Sequence, residues 1–231
     1  MKIQQHDIDE AYKLVSSILE PTPLVKNIRL SSKYNCNIFL KLENMSPVGS
    51  FKLRGALYKI SNLTPQEKKR GVLAVSAGNH AQGVAWAASK FKTKSTIIMP
   101  ETTPLIKIKN TTSFGAKVIL KGENVEESFK FAQEYNNIHK HVFVHPFEDP
   151  HVIAGQSTIA TELLEQLDQI DFVFGSIGGG GLMTGIGHVM KKRSPKTKIV
   201  GAQATGASSM IKSLREHKVV HSKYSSTFAD G

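Results

Sequence analysis

From residue 71 onward the sequence keeps one rhythm, in which short β-branched and apolar runs alternate with longer segments of helical period. GVLAVS (71–76), STIIM (95–99), AKVIL (116–120), HVFVH (141–145), DFVFGSI (171–177) and KIVGAQ (198–203) read as strands. HAQGVAWAASKF (80–91), PLIKIKNTTSFG (104–115), VEESFKFAQEY (125–135), residues 150–167, LMTGIGHVMKK (182–192) and ASSMIKSLREH (207–217) read as the intervening helices. Strands separated by helices pair in parallel, because each helix is the crossover that carries the chain back to the same edge. The rhythm therefore predicts an α/β fold with two open parallel-type sheets flanked by helices.

Upstream, Ile8, Ala11, Tyr12, Val15, Ile18 and Leu19 keep a helical period, which PTPLV (21–25) breaks to begin an extended piece. NIFLKLE (37–43) reads as a strand and FKLRGALYKI (51–60) as a helix. Thr64-Pro65-Gln66-Glu67 is a capping box with proline at the first helical position. Composition changes near NLTPQEKKRG (62–71) and HPFEDP (145–150). These changes predict a smaller α/β domain, 71–148, nested in a larger one made of 1–70 and 149–231.

The chain of 231 residues carries 30 Lys and Arg against 19 Asp and Glu, a net charge of +11, which raises nucleic acid as a partner. The lysines are scattered, however, and the one dense cluster, KKRSPKTK (191–198), has no zinc-finger spacing or aromatic RNA-binding motif beside it. A solvated basic surface is the expectation, with no nucleic-acid partner and a bias toward small anions. No apolar run approaches the ~18 residues of a membrane span. The beginning, MKIQQHDIDEAYKLV, is polar and acidic early, unlike a signal or transit peptide, so a cytoplasmic location is expected. Cys36 is the single cysteine, which excludes an internal disulfide; lying before IFLKL, it reads as a half-buried packing residue.

Ligands of open α/β folds sit beyond the carboxyl ends of strands. Two loops there have unusual compositions. SAGNHAQG (76–83) offers the polar groups of Ser76, Asn79 and His80 at the start of a helix. It is either a capped turn, with Ser76 or Asn79 capping and His80 exposed, or a cradle for a carboxylate. SIGGGGLMTGIG (176–187) places Gly178, Gly179, Gly180 and Gly181 between a strand and a helix. Consecutive N–H groups free of side chains make an anion nest at the positive end of a helix. Neither the GK[ST] ending of a nucleotide-binding P-loop nor GxGxxG occurs in this stretch, so ATP and NAD are not supported. A third stretch, SPVGSFKLRGA (46–56), holds Lys52 after a Pro-Val-Gly turn; alone, it reads as a solvated surface charge. A lysine capable of forming a Schiff base together with a one-phosphate nest suggests pyridoxal 5′-phosphate, PLP.

At SFKLRGA, SAGNHAQG and SIGGGGL, in that order, the sequence resembles the PLP-dependent threonine and serine dehydratases, with serine racemase a close relative. The similarity runs along essentially the whole chain, including PTPLVKN (21–27) and the final TFADG (227–231). The resemblance implies a tryptophan-synthase-β-like architecture (fold type II) and Lys52 as the residue holding PLP as an internal aldimine. It implies Phe51 beside the cofactor ring, Asn79 on its 3′-oxygen, and Gly178 to Gly181 with the Leu182 N–H on its phosphate. Ser76, Asn79 and His80 would hold the substrate carboxylate. The implied reaction is deamination of L-threonine or L-serine by β-elimination, in isoleucine biosynthesis or threonine catabolism, by an enzyme that is often oligomeric. Lys52 would take the Cα proton, so its pKa must fall through burial or charged neighbours.

Where racemases of this family carry a serine as second acid/base, this chain has Ala77, which cannot move a proton; dehydration fits and racemisation does not. His80 and Ala81 likewise depart from the cysteine-synthase pattern, which disfavours β-replacement. Relatives often place a metal-binding glutamate where this chain has Gln203, so no strong metal site is expected. The chain stops at Ala229-Asp230-Gly231, where relatives continue into the segment that faces the PLP ring nitrogen and, in longer members, an ACT-like domain. A C-terminal truncation is therefore expected, with a catalytically impaired PLP-binding homologue as the alternative reading.

Overall fold

The computed structural model describes residues 3–220 and Thr227; apart from Thr227, the TFADG ending lies outside the described residues. Helix α1 (Gln5–Ser16) buries Ile8, Ala11 and Val15 along one stripe against α8 (Pro150–Gln166). Strand β1 (Leu24–Lys26) pairs with β2 (Phe39–Lys41), Leu24 opposite Lys41. This pair is antiparallel, unlike the parallel pairing set by the later rhythm. The connection between them is the short helix α2 (Ile28–Tyr34), which turns the chain straight back. Helix α2 buries no residue and so has no apolar stripe to mark it in the sequence. Its ends are nonetheless marked by Asn27, whose side chain accepts the Leu30 N–H, and by Asn35 at φ 49°. Cys36, expected half-buried, is exposed: it follows the left-handed Asn35 at the outer end of this connection.

Helix α3 (Lys52–Ser61) buries Leu53, Ala56, Leu57 and Ile60. Helix α4 (Pro65–Arg70) has the expected capping box between Thr64 and Glu67. Then β3 (Val72–Val75), α5 (Asn79–Lys90), β4 (Ser95–Met99), α6 (Leu105–Ser113), β5 (Lys117–Leu120), α7 (Val125–His139) and β6 (Val142–Phe143) alternate as the sequence predicts. They form a parallel sheet in the order β5-β4-β3-β6. A second parallel pair joins β7 (Phe172–Ser176) to β8 (Lys198–Ala202), with α9 (Gly181–Arg193) between them and α10 (Ser209–Glu216) after them.

Every residue of β3 and β4 is buried. One face of that sheet shares a core with α3 and α5, joining Val72, Ala74 and Ile97 to Leu53, Leu57, Ile60, Ala81 and Val84. The other face sets Leu73, Val75 and Ile98 against Ala132 of α7. Beneath β7 and β8 a separate core joins Ile159 and Ala160 of α8 to Met183, Ile186 and Val189 of α9. Helices α3 and α8 cross at two glycines; a Cβ on Gly155 would lie 2.5 Å from the Gly55 Cα. That crossing brings α3, the carrier of Lys52, against the helix that supports the glycine loop.

Candidate active site

The short segment from Val144 to Phe147, leaving the carboxyl end of β6, touches all three motifs. The Val144 carbonyl lies 2.8 Å from His80 Nε2, and the Pro146 carbonyl accepts a 2.8 Å hydrogen bond from Lys52 Nζ. The Phe147 ring lies against Gly179, where a Cβ would come within 2.2 Å of its Cγ, and a Cβ on Gly181 would come within 2.9 Å of the Phe147 carbonyl. In the sequence, HPFEDP stands out as a change of composition. Its stronger signal is a proline that directs a carbonyl outward at the end of a strand, followed by an Asp N-cap: Asp149 accepts the His151 and Val152 N–H groups.

Lys52 opens α3, half-buried, with its ammonium 5.4 Å from the Phe51 ring centre. Burial pulls its pKa from 10.5 down to about 8. About one amine in ten is then neutral at pH 7, against about one in 3,000 for a free lysine. Phe51 itself packs on the α8–α9 core. The close approach of α5 is made possible by Gly83, whose added Cβ would stand 3.1 Å from the Lys52 carbonyl carbon. Asn79 lies one turn before Gly83 on the same helix face, and its side chain is exposed.

The asparagine loop is not a side-chain-capped turn: Gly78 is the N-cap residue of α5, and no side-chain cap bond forms there. Ser76 Oγ instead accepts the Gly78 N–H at 3.2 Å, shaping the loop from within. His80, exposed in the capped-turn reading, is 3% exposed. Its partner at Nε2 is a carbonyl, which only accepts, so Nε2 carries the proton and Nδ1 a lone pair. Burial holds the ring neutral, with its pKa down to about 3. Nδ1 is buried with no hydrogen-bond partner among the described residues. The ring therefore has no free donor for a carboxylate, and what His80 can offer is its backbone N–H at the helix start. His145, the third titratable group here, turns Nδ1 to the Phe147 and Glu148 N–H groups, and burial lowers its pKa.

The glycine loop opens α9. Thr184 N–H is bonded to the Gly180 carbonyl, so the N–H groups of Gly181, Leu182 and Met183 have no intrahelical acceptor. Gly180 is at φ 89°, and a Cβ on Gly178 would meet nothing within 4 Å. The four glycines thus have separate reasons: Gly179 and Gly181 admit Phe147, Gly180 makes the turn, and Gly178 keeps one side open. Gln203, the departure at the expected metal position, accepts the Ile211 N–H at 3.0 Å and caps α10. Among the described residues no group of three or more His, Cys, Asp or Glu is placed to hold a metal, and no helix is long and apolar enough to cross a membrane.

Fold and site together define an α/β protein with a desolvated lysine, a neutral buried imidazole and a side-chain-free anion nest. A family model described as pyridoxal-phosphate dependent enzyme matches residues 15–231, and the chain belongs to that family. It is 43% identical to an L-threonine dehydratase (biosynthetic IlvA) of Halalkalibacterium halodurans, covering 100% of this chain and 56% of the relative. It is 44% identical to an L-threonine ammonia-lyase of Thermotoga maritima, covering 99% and 57%. The chain thus spans little more than half the length of these relatives. Among solved structures, processed threonine deaminase isoform 2 of Solanum lycopersicum superposes with a TM-score of 0.88 at 38% identity, over 94% of this chain and 65% of that one. Maize serine racemase superposes at 0.90 and 29%, over 93% and 65%. The fold is that of these enzymes, as the sequence predicts. The residues present fit the family's cofactor: an amine partly neutral at pH 7, a nest free of Cβ atoms and a buried Nδ1 lone pair beside them.

Proposed function

We propose that this chain carries the cofactor-holding part of a PLP-dependent ammonia-lyase that deaminates L-threonine to 2-oxobutanoate and ammonia. The observation that supports it is the desolvated Lys52, its Nζ held at the Pro146 carbonyl by the segment that also contacts His80 and the glycine loop. Pyridoxal phosphate supplies an electron sink conjugated to the substrate Cα. Lys52 would anchor it and would take the proton from the substrate Cα, a task for which a pKa of about 8 suits an amine. The N–H groups of Gly178 to Gly181 and Leu182 would receive the phosphate, and Phe51 and Asn79 would orient the ring. Ser76, Asn79 and the His80 N–H hold the substrate carboxylate. Ala77 puts a methyl group, which cannot move a proton, where racemases carry a serine, and this supports elimination over racemisation. The nested unit of 71–148, L-serine as a second substrate, the pathway, a homo-oligomeric state and a cytoplasmic location belong to the same reading.

The test is the absorbance of added PLP, followed by assay of 2-oxobutanoate from L-threonine. A Lys52-dependent band with turnover is expected, and Lys52→Ala removes both. A band without turnover returns the alternative of a PLP-binding homologue that does no chemistry. No band in a folded chain would overturn both readings.

A further inference from the structure

A cluster of four charged side chains lies beside the first turn of α3, on a different face from Lys52. Arg54 is 2% exposed, and all five of its N–H donors are used. Nε and Nη2 grip Glu43 at 2.8 and 2.9 Å, and Nη1 and Nη2 grip Glu162 at 2.5 and 2.9 Å. Nη1 also reaches Thr158 Oγ1 at 3.1 Å. Lys41 uses its three donors on Glu162 (2.5 Å), the Thr22 carbonyl (2.8 Å) and Gln166 (2.9 Å). The cluster therefore ties the β1–β2 region, α3 and α8 together at one guanidinium. Burial alone would raise the Glu162 pKa, but the bonds from Arg54 and Lys41 overcome it and hold the carboxyl below its ordinary range.

Stability alone is a weak account of such a cluster. A buried, fully paired ion set is often no more stabilising than apolar side chains of the same volume, since desolvation offsets the attraction. What a saturated network adds is a single permitted arrangement. Arg54 follows Lys52 by two residues, so the two side chains leave α3 about 200° apart and do not meet. Two cations and two carboxylates nearly cancel, so their field at Lys52 is small. The influence has to pass through the backbone of the first turn.

We infer that Arg54, clamped between Glu43 and Glu162, is a positioning residue that fixes the first turn of α3 and so keeps the Lys52 amine against the Pro146 carbonyl, out of water. The inference gives this cluster a task in the lyase reading above, and it is tested without the cofactor.

Competitive acetylation of Lys52 across pH, read by mass spectrometry, measures the titration midpoint of that amine in the cofactor-free chain. His80 and His145 are the other titratable groups near it, and both stay in place. The midpoint is expected near pH 8 in the parent chain. Arg54→Lys keeps the charge and loses both forks; it and Glu162→Gln should raise the midpoint by about one unit or more, leaving about tenfold fewer neutral amines at pH 7. Circular dichroism and melting establish that each variant is folded. If the Arg54 variant does not fold, Glu162→Gln and Lys41→Met carry the test. Folded variants that melt lower with an unmoved midpoint would mean a purely structural cluster and overturn the inference. Borohydride trapping of PLP at Lys52 is scored separately: a shifted midpoint in a chain that never traps PLP sinks the cofactor reading and leaves the positioning role standing.

Discussion

The lysine and the glycine loop of the site rest on differently built sheets. On the lysine side, β3 and β4 are buried along their whole length, covered by α3 and α5 on one face and α7 on the other. On the glycine side, β7 and β8 pack one face on α8 and α9, while Phe172 and Phe174 on the other face of β7 are 50% and 72% exposed. The lysine thus inherits its desolvation from a closed core, and the glycine loop inherits its shape from local geometry, a left-handed Gly180 and the Phe147 contact. A desolvated amine needs many neighbours at once, whereas a set of N–H groups needs only a helix start and bare backbone.

The largest break in this comparison comes from the closed sheet. Leu73→Ala removes a fully buried side chain between β4, β6 and α7 and should cost about 2–5 kcal/mol in urea unfolding. Phe174→Ala, a larger truncation on the open face, should stay within about 0.5 kcal/mol. Equal losses at the two positions would show that the sheets are covered alike.

The next effect is a pH dependence carried by His80. The folded ring takes its proton near pH 3 and an ordinary imidazole near 6.5, so between these values the unfolded chain binds the extra proton. Stability should therefore fall as pH drops from 6.5 toward 3, by up to about 1.4 kcal/mol per pH unit. His80→Gln can still donate to the Val144 carbonyl but does not titrate. Subtracting its stability curve from the parent's isolates the slope, which should be visible above the window where Glu162, with its depressed pKa, begins to contribute. Parallel curves would mean that His80 is solvated.

These same contrasts explain what could be read from the residues. The closed sheet was legible because strands covered on both faces become continuous apolar runs, as VLAV and STIIM do. Helix α2 was missed because a seven-residue helix with no buried face leaves only its two asparagine ends as a signal. At the site, the three motifs were legible as local patterns, but the segment that joins them was not. The bonds from Val144 and Pro146 use main-chain carbonyls, which any residue supplies. Arg54 was visible inside SFKLRGA, yet Glu162 is 108 residues away, and an ion pair leaves no spacing rule across such a distance. Only the capped-turn reading gave His80 an exposure, and the buried ring departs from it because its partner, the Val144 carbonyl just after β6, is distant in sequence.

The smallest stability effects come from the glycine nest and divide its four positions. Gly180→Ala must hold a Cβ at φ 89° with Met210 Cε only 3.1 Å away, and should cost about 1–2 kcal/mol. Gly178→Ala meets nothing within 4 Å and no positive φ, so its unfolding midpoint should move by less than about 0.5 kcal/mol. Yet the new methyl would stand on the one open side of the nest, beside the N–H groups read as the phosphate site. The apparent Kd for PLP, from the absorbance titration, should therefore rise at Gly178→Ala about tenfold while stability stays put, the equivalent of one lost hydrogen bond to a charged group. An unchanged Kd would move the phosphate away from Gly178 toward the helix-start N–H groups of Gly181 and Leu182. The open sheet would then supply only the footing of the nest and none of its contacts.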